Sequence, residues 1–282
     1  MSRLRTVGLA VALATAMLFT AGSGATAAAD PPERIVSLSP TATEMLFAIG
    51  AGDQVVAVDD QSSFPVDAPV TDLSGYTPNV ESIAGYDPDL VVVPDGQVRK
   101  ALEDLGIQVL VLPAATRLAG AYSQIRRLGR VTGHAEDAKA LVGEMRADIA
   151  DLAADVPDAG TRPSTYYELD ETYFSADSST FIGKLLELGG FDNIADEAKN
   201  QSPGYPQLSS EYIVDSNPDA VFLADTKCCG QTPQTFGERP GFDALTAVED
   251  GHVVSLDDDI ASRWGPRVVE LLRQIVKERN RL

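Results

Sequence analysis

The chain has 282 residues, 44% of them apolar and 23% charged, which allows two domains with buried cores and excludes a disordered chain. With 42 acidic against 22 basic residues the formal charge is -20, a surface that repels phosphate backbones and argues against nucleic acid as a partner. Most of that charge reads as the solubilising coat of an exported protein.

The first 29 residues differ from the rest. Arg3 and Arg5 precede an apolar run over residues 7–19 and small residues ending in Ala27, Ala28 and Ala29, the pattern of a signal peptide with an Ala-x-Ala cleavage site. The run is too short to cross a bilayer, and no other segment reaches the roughly 18 apolar residues a span needs. The mature chain is therefore expected to be soluble after cleavage and either periplasmic or extracellular. No Cys lies near the cleavage site, so no lipid-modified N-terminus is expected, and no twin-Arg pair is present either.

From residue 34 onward, strand and helix signals alternate. Residues 34–38 predict a strand, 39–49 a helix closed by Gly50, and 54–58 a second strand. A strand at 90–93, a helix at 97–105 stopped by Gly106, a strand at 107–112 and a helix at 118–131 follow. Over residues 134–156, Ala138, Leu141, Val142, Met145, Ile149, Leu152 and Val156 recur at steps of three and four, the period of one long amphipathic helix. Strand signals resume at 164–169, followed by a helix at 178–188 closed by Gly189 and Gly190 and a strand at 220–223. A long polar loop is expected over 225–241, then a helix at 242–248, a strand at 252–256 and a terminal helix at 266–279.

Two stretches within this pattern repeat each other. Glu81, Ile83, Pro88, Asp89 and Val91 match Glu211, Ile213, Pro218, Asp219 and Val221 at a constant offset. Each reads as a short helix opened by Glu, a Pro-Asp turn and a buried strand. The alternation and the repeat together predict an α/β protein of two similar lobes with mostly parallel sheets, joined by the long helix, with the ligand cleft between the lobes. The expected divisions are a signal peptide at 1–29, an N-terminal lobe at 30–133, the linking helix at 134–157 and a C-terminal lobe at 158–282. One stiff helix in place of loop hinges implies small lobe motions.

The run Arg34-Ile-Val-Ser-Leu-Ser-Pro-Thr-Ala-Thr-Glu44 with Phe47 and Gly50, then Asn79 to Glu81 and Pro88 to Val91, resembles the substrate-binding proteins of iron-chelate and cobalamin ABC importers, most closely the cobalamin binders. The resemblance extends from about residue 34 to residue 269 and implies the two-lobed fold already predicted. It further implies that Glu81 and Glu211, one per lobe, dock onto Arg residues of a dimeric permease in the membrane. A permease dimer presents two equivalent basic patches, so a two-lobed partner needs two equivalent acids.

Three groups are candidates for the cleft by position and by resemblance. Ser39, Pro40 and Thr41 start the first helix, whose free N–H groups suit a polar ligand atom, although Thr41 with Glu44 also fits a capping box. Tyr76 and Tyr205 lie just upstream of Glu81 and Glu211, where the cobalamin binders carry Trp. Asp259 and Arg263 match an Asp and an Arg that bond ligand amides in that family, and Trp264, the only Trp, stands beside them. Asp257 and Asp258 read as a plain turn, with a metal site as the alternative. Asp95 and Phe174 complete the set of candidates.

Cys228 and Cys229 are adjacent and have no other Cys to pair with. A trans peptide sets their Cα atoms about 3.8 Å apart, short for a disulfide. In an oxidising compartment a disulfide between these neighbours is still the expectation, shaping a loop beside the cleft.

Residues for the competing class, a secreted metal-dependent enzyme, are scarce. No nucleophile elbow, zincin helix or P-loop occurs, and only His134 and His252 supply imidazoles. The resemblance then implies a monomeric, non-enzymatic binding protein without a cofactor or protein-held metal, which delivers a metal chelate to an ABC importer. A corrinoid is the first choice of ligand, a ferric siderophore the second and haem the third.

Overall fold

The computed structural model describes residues 30–157, 160–198 and 204–282, so the expected signal peptide lies outside the described residues. In the first half, β1 (Ile35–Ser37), α1 (Pro40–Ala48), β2 (Val55–Val58), α2 (Val80–Ala84), β3 (Leu90–Val93), α3 (Arg99–Asp104), β4 (Gln108–Val111) and α4 (Leu118–Thr132) follow one another. All four strands run parallel, in the order β2-β1-β3-β4. Helix α5 (Ala135–Ala154) then leads to β5 (Ser164–Glu168), α6 (Phe181–Leu188), β6 (Asp192–Asn193), α7 (Ser210–Ser216) and β7 (Ala220–Leu223). The chain ends with α8 (Thr226–Cys229), α9 (Pro233–Gly237), α10 (Thr246–Glu249), β8 (Val253–Ser255), α11 (Asp258–Ala261) and α12 (Val268–Arg279). This second sheet is also parallel, in the order β6-β5-β7-β8, so its topology duplicates that of the first.

The matched residues of the repeat occupy the same structural places in the two halves. Asn79 caps α2 by accepting from the Ser82 amide at 2.9 Å, and Ser209 caps α7 by accepting from the Tyr212 amide at 3.1 Å. Ile83 and Ile213 are fully buried beneath these helices. Each helix exits through a left-handed residue, Asp87 at φ 49° and Asn217 at φ 41°, residue types that tolerate this region. The Asp of each Pro-Asp pair then fastens the first strand of its sheet. Asp89 accepts from the amides of Glu33 and Arg34 at 2.8 and 2.9 Å, and Asp219 accepts from the Ser164 amide at 2.7 Å.

Each sheet buries one face against its own helices and the other against a core common to both halves. Val36, Val91, Val93 and Leu102 form the outer core of the first sheet, and Tyr166, Val221, Leu223, Phe236 and Phe242 that of the second. The common core runs from Ile35 and Leu90 through Ala138, Val142, Met145 and Ile149 of α5 to Phe222, Leu271 and Ile275. Burying a side chain such as Ile149 contributes roughly 2 kcal/mol, so this stripe holds α5 against both halves. Glu136 and Asp137 in its first turn favour the positive end of the helix dipole. Residues 31–282 consequently form one compact unit. No described helix is long and apolar enough to cross a membrane.

Several elements depart from expectation. The loop at 225–241 contains α8 and α9, the latter started by a capping box between Thr232 and Thr235 with Pro233 at its first position. The helix expected at 242–248 divides into a 3-10 turn, Phe242–Ala244, and α10. The turn after β8 contains α11, capped by Asp257. Thr41 and Glu44 make no capping box, because Ser39 is the cap of α1 and Glu44 turns into the interior. A two-residue strand such as β6 carries no periodic signal, and none was predicted there.

Candidate functional site

A cavity of about 740 Å³ opens where the carboxyl ends of β1, β2 and β3 face those of β7 and β8. Such strand ends are where open parallel sheets collect ligands, because the loops there are free of the sheet's hydrogen bonding. The first half contributes Leu38 to Thr41, Asp59, Gln61, Gly75, Tyr76, Pro94, Asp95 and Gln97. The second contributes Lys227, Cys228, Asp258, Asp259, Ser262, Arg263 and Trp264.

Of the residues predicted from sequence, Pro40, Thr41, Tyr76, Asp95, Asp259, Arg263 and Trp264 line this cavity, as does Cys228. Tyr76 is highly exposed at 82%, open for contact with an incoming ligand. Tyr205 is half exposed and lies outside the lining, so the expected symmetric pair of aromatics does not meet across the cleft. Burial, followed by the charge of Asp177, raises its phenol pKa. Phe174 also lies outside the lining and bridges to Gln207 in an isolated antiparallel contact. Glu81 and Glu211 are both exposed, each in the first turn of its short helix. The pKa of Glu211 is lowered by its own backbone amide and by Ser209.

Arg263 is held by protein partners on three sides. Its guanidinium donates to Glu44 at 3.1 Å, to Asp259 at 2.6 Å and to the Gln61 carbonyl at 3.0 Å. Arg267 joins it by donating from Nε to Glu44 at 3.0 Å and from a second nitrogen to the same carboxylate. Glu44 is almost wholly buried, so two guanidiniums from the second half converge on one acid of the first. Gly265 permits the approach, since a Cβ there would stand 2.9 Å from the Glu44 carboxylate. The Trp264 indole N–H donates to Gln124 Oε1 on α4 at 2.9 Å, which fixes the ring at the cavity edge.

The three consecutive aspartates each have a separate structural task. Asp258 accepts from the amides of Thr226, Lys227 and Cys228 at 2.8 to 3.0 Å, capping α8 from outside its own segment. Burial pushes its pKa up, but the Lys227 and Cys228 amides outweigh this and leave it lowered. Lys227 bridges Asp257 at 2.7 Å and Asp259 at 3.2 Å, and its own pKa is raised chiefly by Asp257. Among the described residues no group of three or more His, Cys, Asp or Glu side chains is arranged to hold a metal. The structure joins Cys228 and Cys229 in a disulfide exposed at the end of α8.

Sequence reasoning passed over several of these residues. Asp59 lines the cavity while nearly fully buried, and burial raises its pKa against the pull of Ser62 and the Gln61 amide. Glu44 lies about 220 positions from its Arg partners, a separation at which no local pattern exists. After β7, Asp225 is fully buried and neither of its carboxyl oxygens has a hydrogen-bond partner among the described residues. Beside it Glu168, also fully buried, accepts two bonds from Arg239 at 2.7 and 2.8 Å, one from Gln231 at 3.0 Å and one from the Tyr166 hydroxyl at 3.2 Å. Burial first, then the Glu168 charge, push Asp225 up to about 7, with Arg239 opposing.

The model of the periplasmic binding protein family matches residues 35–260 of the chain. A cobalamin-binding protein of Halobacterium salinarum is 36% identical over 255 residues, covering 85% of this chain and 67% of that one. An uncharacterized ABC transporter substrate-binding lipoprotein of Bacillus subtilis is 29% identical over 257 residues, covering 87% of this chain and 79% of its own. Among solved structures, a possible iron-binding (periplasmic solute-binding) protein from Staphylococcus epidermidis superposes with a TM-score of 0.75 at 26% identity, covering 88% of this chain and 99% of the other.

Proposed function

We propose, from the premise that this chain belongs to the periplasmic binding protein family, that it is the extracytoplasmic substrate-binding protein of an ABC importer and that its ligand is a corrinoid of the cobalamin class. The observation that carries the reading is the cavity of about 740 Å³ walled by both halves at their strand ends, a volume suited to receiving one face of a bulky chelate.

The charge of that cavity favours a corrinoid over haem and the catecholate siderophores. Asp59, Asp95, Asp258 and Asp259 face it against Lys227 and Arg263, and both cations are already paired with acids. A lining of net negative charge repels the carboxylates of haem and the anionic complexes of catecholate siderophores. It suits a neutral or cationic chelate with amide side chains, whose N–H groups donate to carboxylates. Tyr76 and Trp264 supply apolar faces for the macrocycle. The chain binds and releases its ligand unchanged, and Glu81 and Glu211 contact the permease dimer through their exposed carboxylates.

An iron chelate is the second reading, favoured by the likeness to the Staphylococcus epidermidis protein. Calorimetric and absorbance titration of the mature protein with cyanocobalamin, ferric hydroxamate and catecholate siderophores, and haemin distinguishes the two. Saturable binding of cyanocobalamin in preference to the rest is expected, whereas a siderophore binding more tightly than cyanocobalamin would falsify the corrinoid assignment.

A further inference from the structure

The bond between Cys228 and Cys229 has no evident use in holding the fold together. A disulfide stabilises largely by closing a loop in the unfolded chain, and a bond between adjacent residues closes almost none. The helix that carries it is already fastened, by Asp258 at the Thr226, Lys227 and Cys228 amides and by Lys227 on Asp257 and Asp259. Both cysteines are exposed, and Cys228 borders the cavity. What the bond does change is the surface facing the ligand. It fixes the intervening peptide in a small ring and replaces two titratable, reactive thiols with an uncharged pair of polarizable sulfurs that cannot donate a proton.

The makeup of the wall gives that surface its importance. The first half presents Tyr76, but Tyr205 does not line the opposite side. Among the described lining residues of the second half, only Cys228 and Trp264 are apolar, the others being Lys227, Asp258, Asp259, Ser262 and Arg263. Thioether sulfur makes contacts with aromatic rings worth roughly 0.3 to 1.5 kcal/mol each, and disulfide sulfur shares its polarizability.

We propose that the Cys228–Cys229 disulfide is a ligand-contacting element of the cleft, packing the sulfur of Cys228 on the ring system of the bound chelate. The proposal rests on the chelate-binding reading above. It makes ligand affinity dependent on oxidation: reduction opens the small ring and returns a titratable thiol, that of Cys228, to the wall.

The test compares three preparations: oxidised wild type, wild type reduced with a phosphine, and the double variant C228S/C229S. Each is titrated with cyanocobalamin or, if wild type prefers it, the ferric siderophore it binds. Reduction and substitution are each expected to weaken binding about tenfold, the loss of one or two such contacts together with the fixed loop. Saturating chelate is also expected to slow reduction of the bond in wild type, a protection that a disulfide remote from the ligand would not acquire. Oxidised and reduced wild type binding alike, or reduction proceeding as fast with saturating chelate as without, would overturn the proposal; this comparison requires no substitution and so survives a variant that fails to fold. Wild type that binds none of the chelates overturns the proposed function and this inference together, whereas undiminished binding after reduction overturns this inference alone.

Discussion

Replacing Asp225 with Asn should stabilise the protein at neutral and alkaline pH while changing little in acid. In the folded chain Asp225 is fully buried, unpartnered, and adjacent to Glu168, whose charge Arg239 already neutralises. The other groups facing it are Tyr166, which hydrogen-bonds Glu168, and Gln231, whose amide donates to the Asp225 carbonyl. A second ionised carboxylate there lacks a counter-charge, and its pKa stands at about 7 against the ordinary 3.8. Between those values the folded state holds a proton that the unfolded chain has lost. Stability contributed by this group is therefore greatest in acid and declines as pH rises through the window, flattening above pH 7. From pH 5 to pH 8.5 the decline spans about two pKa units, or roughly 3 kcal/mol at 1.36 kcal/mol per unit. An amide does not titrate, so D225N is free of this slope. Urea unfolding of wild type and variant at pH 5, 6, 7 and 8.5 reads the difference, since all other titrating groups are common to the two. The variant's advantage should grow by roughly 3 kcal/mol across the series. A difference between the two proteins that stays constant with pH would refute the argument that burial beside Glu168 keeps Asp225 protonated.

Further outcomes follow from the same structure. Reversing both rim acids, E81K with E211K, should abolish ligand uptake in cells while calorimetry finds wild-type ligand affinity, because neither residue lines the cavity; unimpaired uptake would remove the docking role. E44A leaves Arg263 and Arg267 without their common buried partner, and thermal denaturation should register a loss of about 3 kcal/mol, the scale for breaking one side of a buried ion pair. Y76A should weaken chelate binding severalfold and Y205A much less, since only Tyr76 lines the cleft; equal losses in calorimetry would place the ligand elsewhere.

Much of the architecture was legible in the sequence because it depends on local pattern. Continuous apolar runs gave β3 and β7, glycines closed α1, α3 and α6, and steps of three and four marked α5. The recurrence of Glu, Ile, Pro, Asp and Val announced the duplicated sheet, and those residues do have matching places: a buried Ile, a left-handed exit, and an Asp that fastens the first strand. Short elements escaped for the opposite reason. One turn of helix, as in α8, α9 or α11, contains too few residues for periodicity, and α8 is also capped from outside its own segment, by Asp258 reaching back to its amides.

For the site, loop position after a strand selected Tyr76, Asp259, Arg263 and Trp264 only together with the family resemblance, since strand ends of a parallel sheet can be located along a sequence but their ligand contacts cannot. The sequence could not assign partners. That Arg263 pairs with Glu44 while lining the cavity, that Tyr205 is not among the lining residues, and that Asp225 is beside Glu168 all depend on contacts between segments far apart in the chain. Periodicity and capping act over a few residues and are written locally, so the sequence alone determined the repeated α/β plan and the long helix. Ion pairing and desolvation depend on three-dimensional proximity, so only the tertiary structure decided which charges are neutralised, which are stranded, and what the cavity presents.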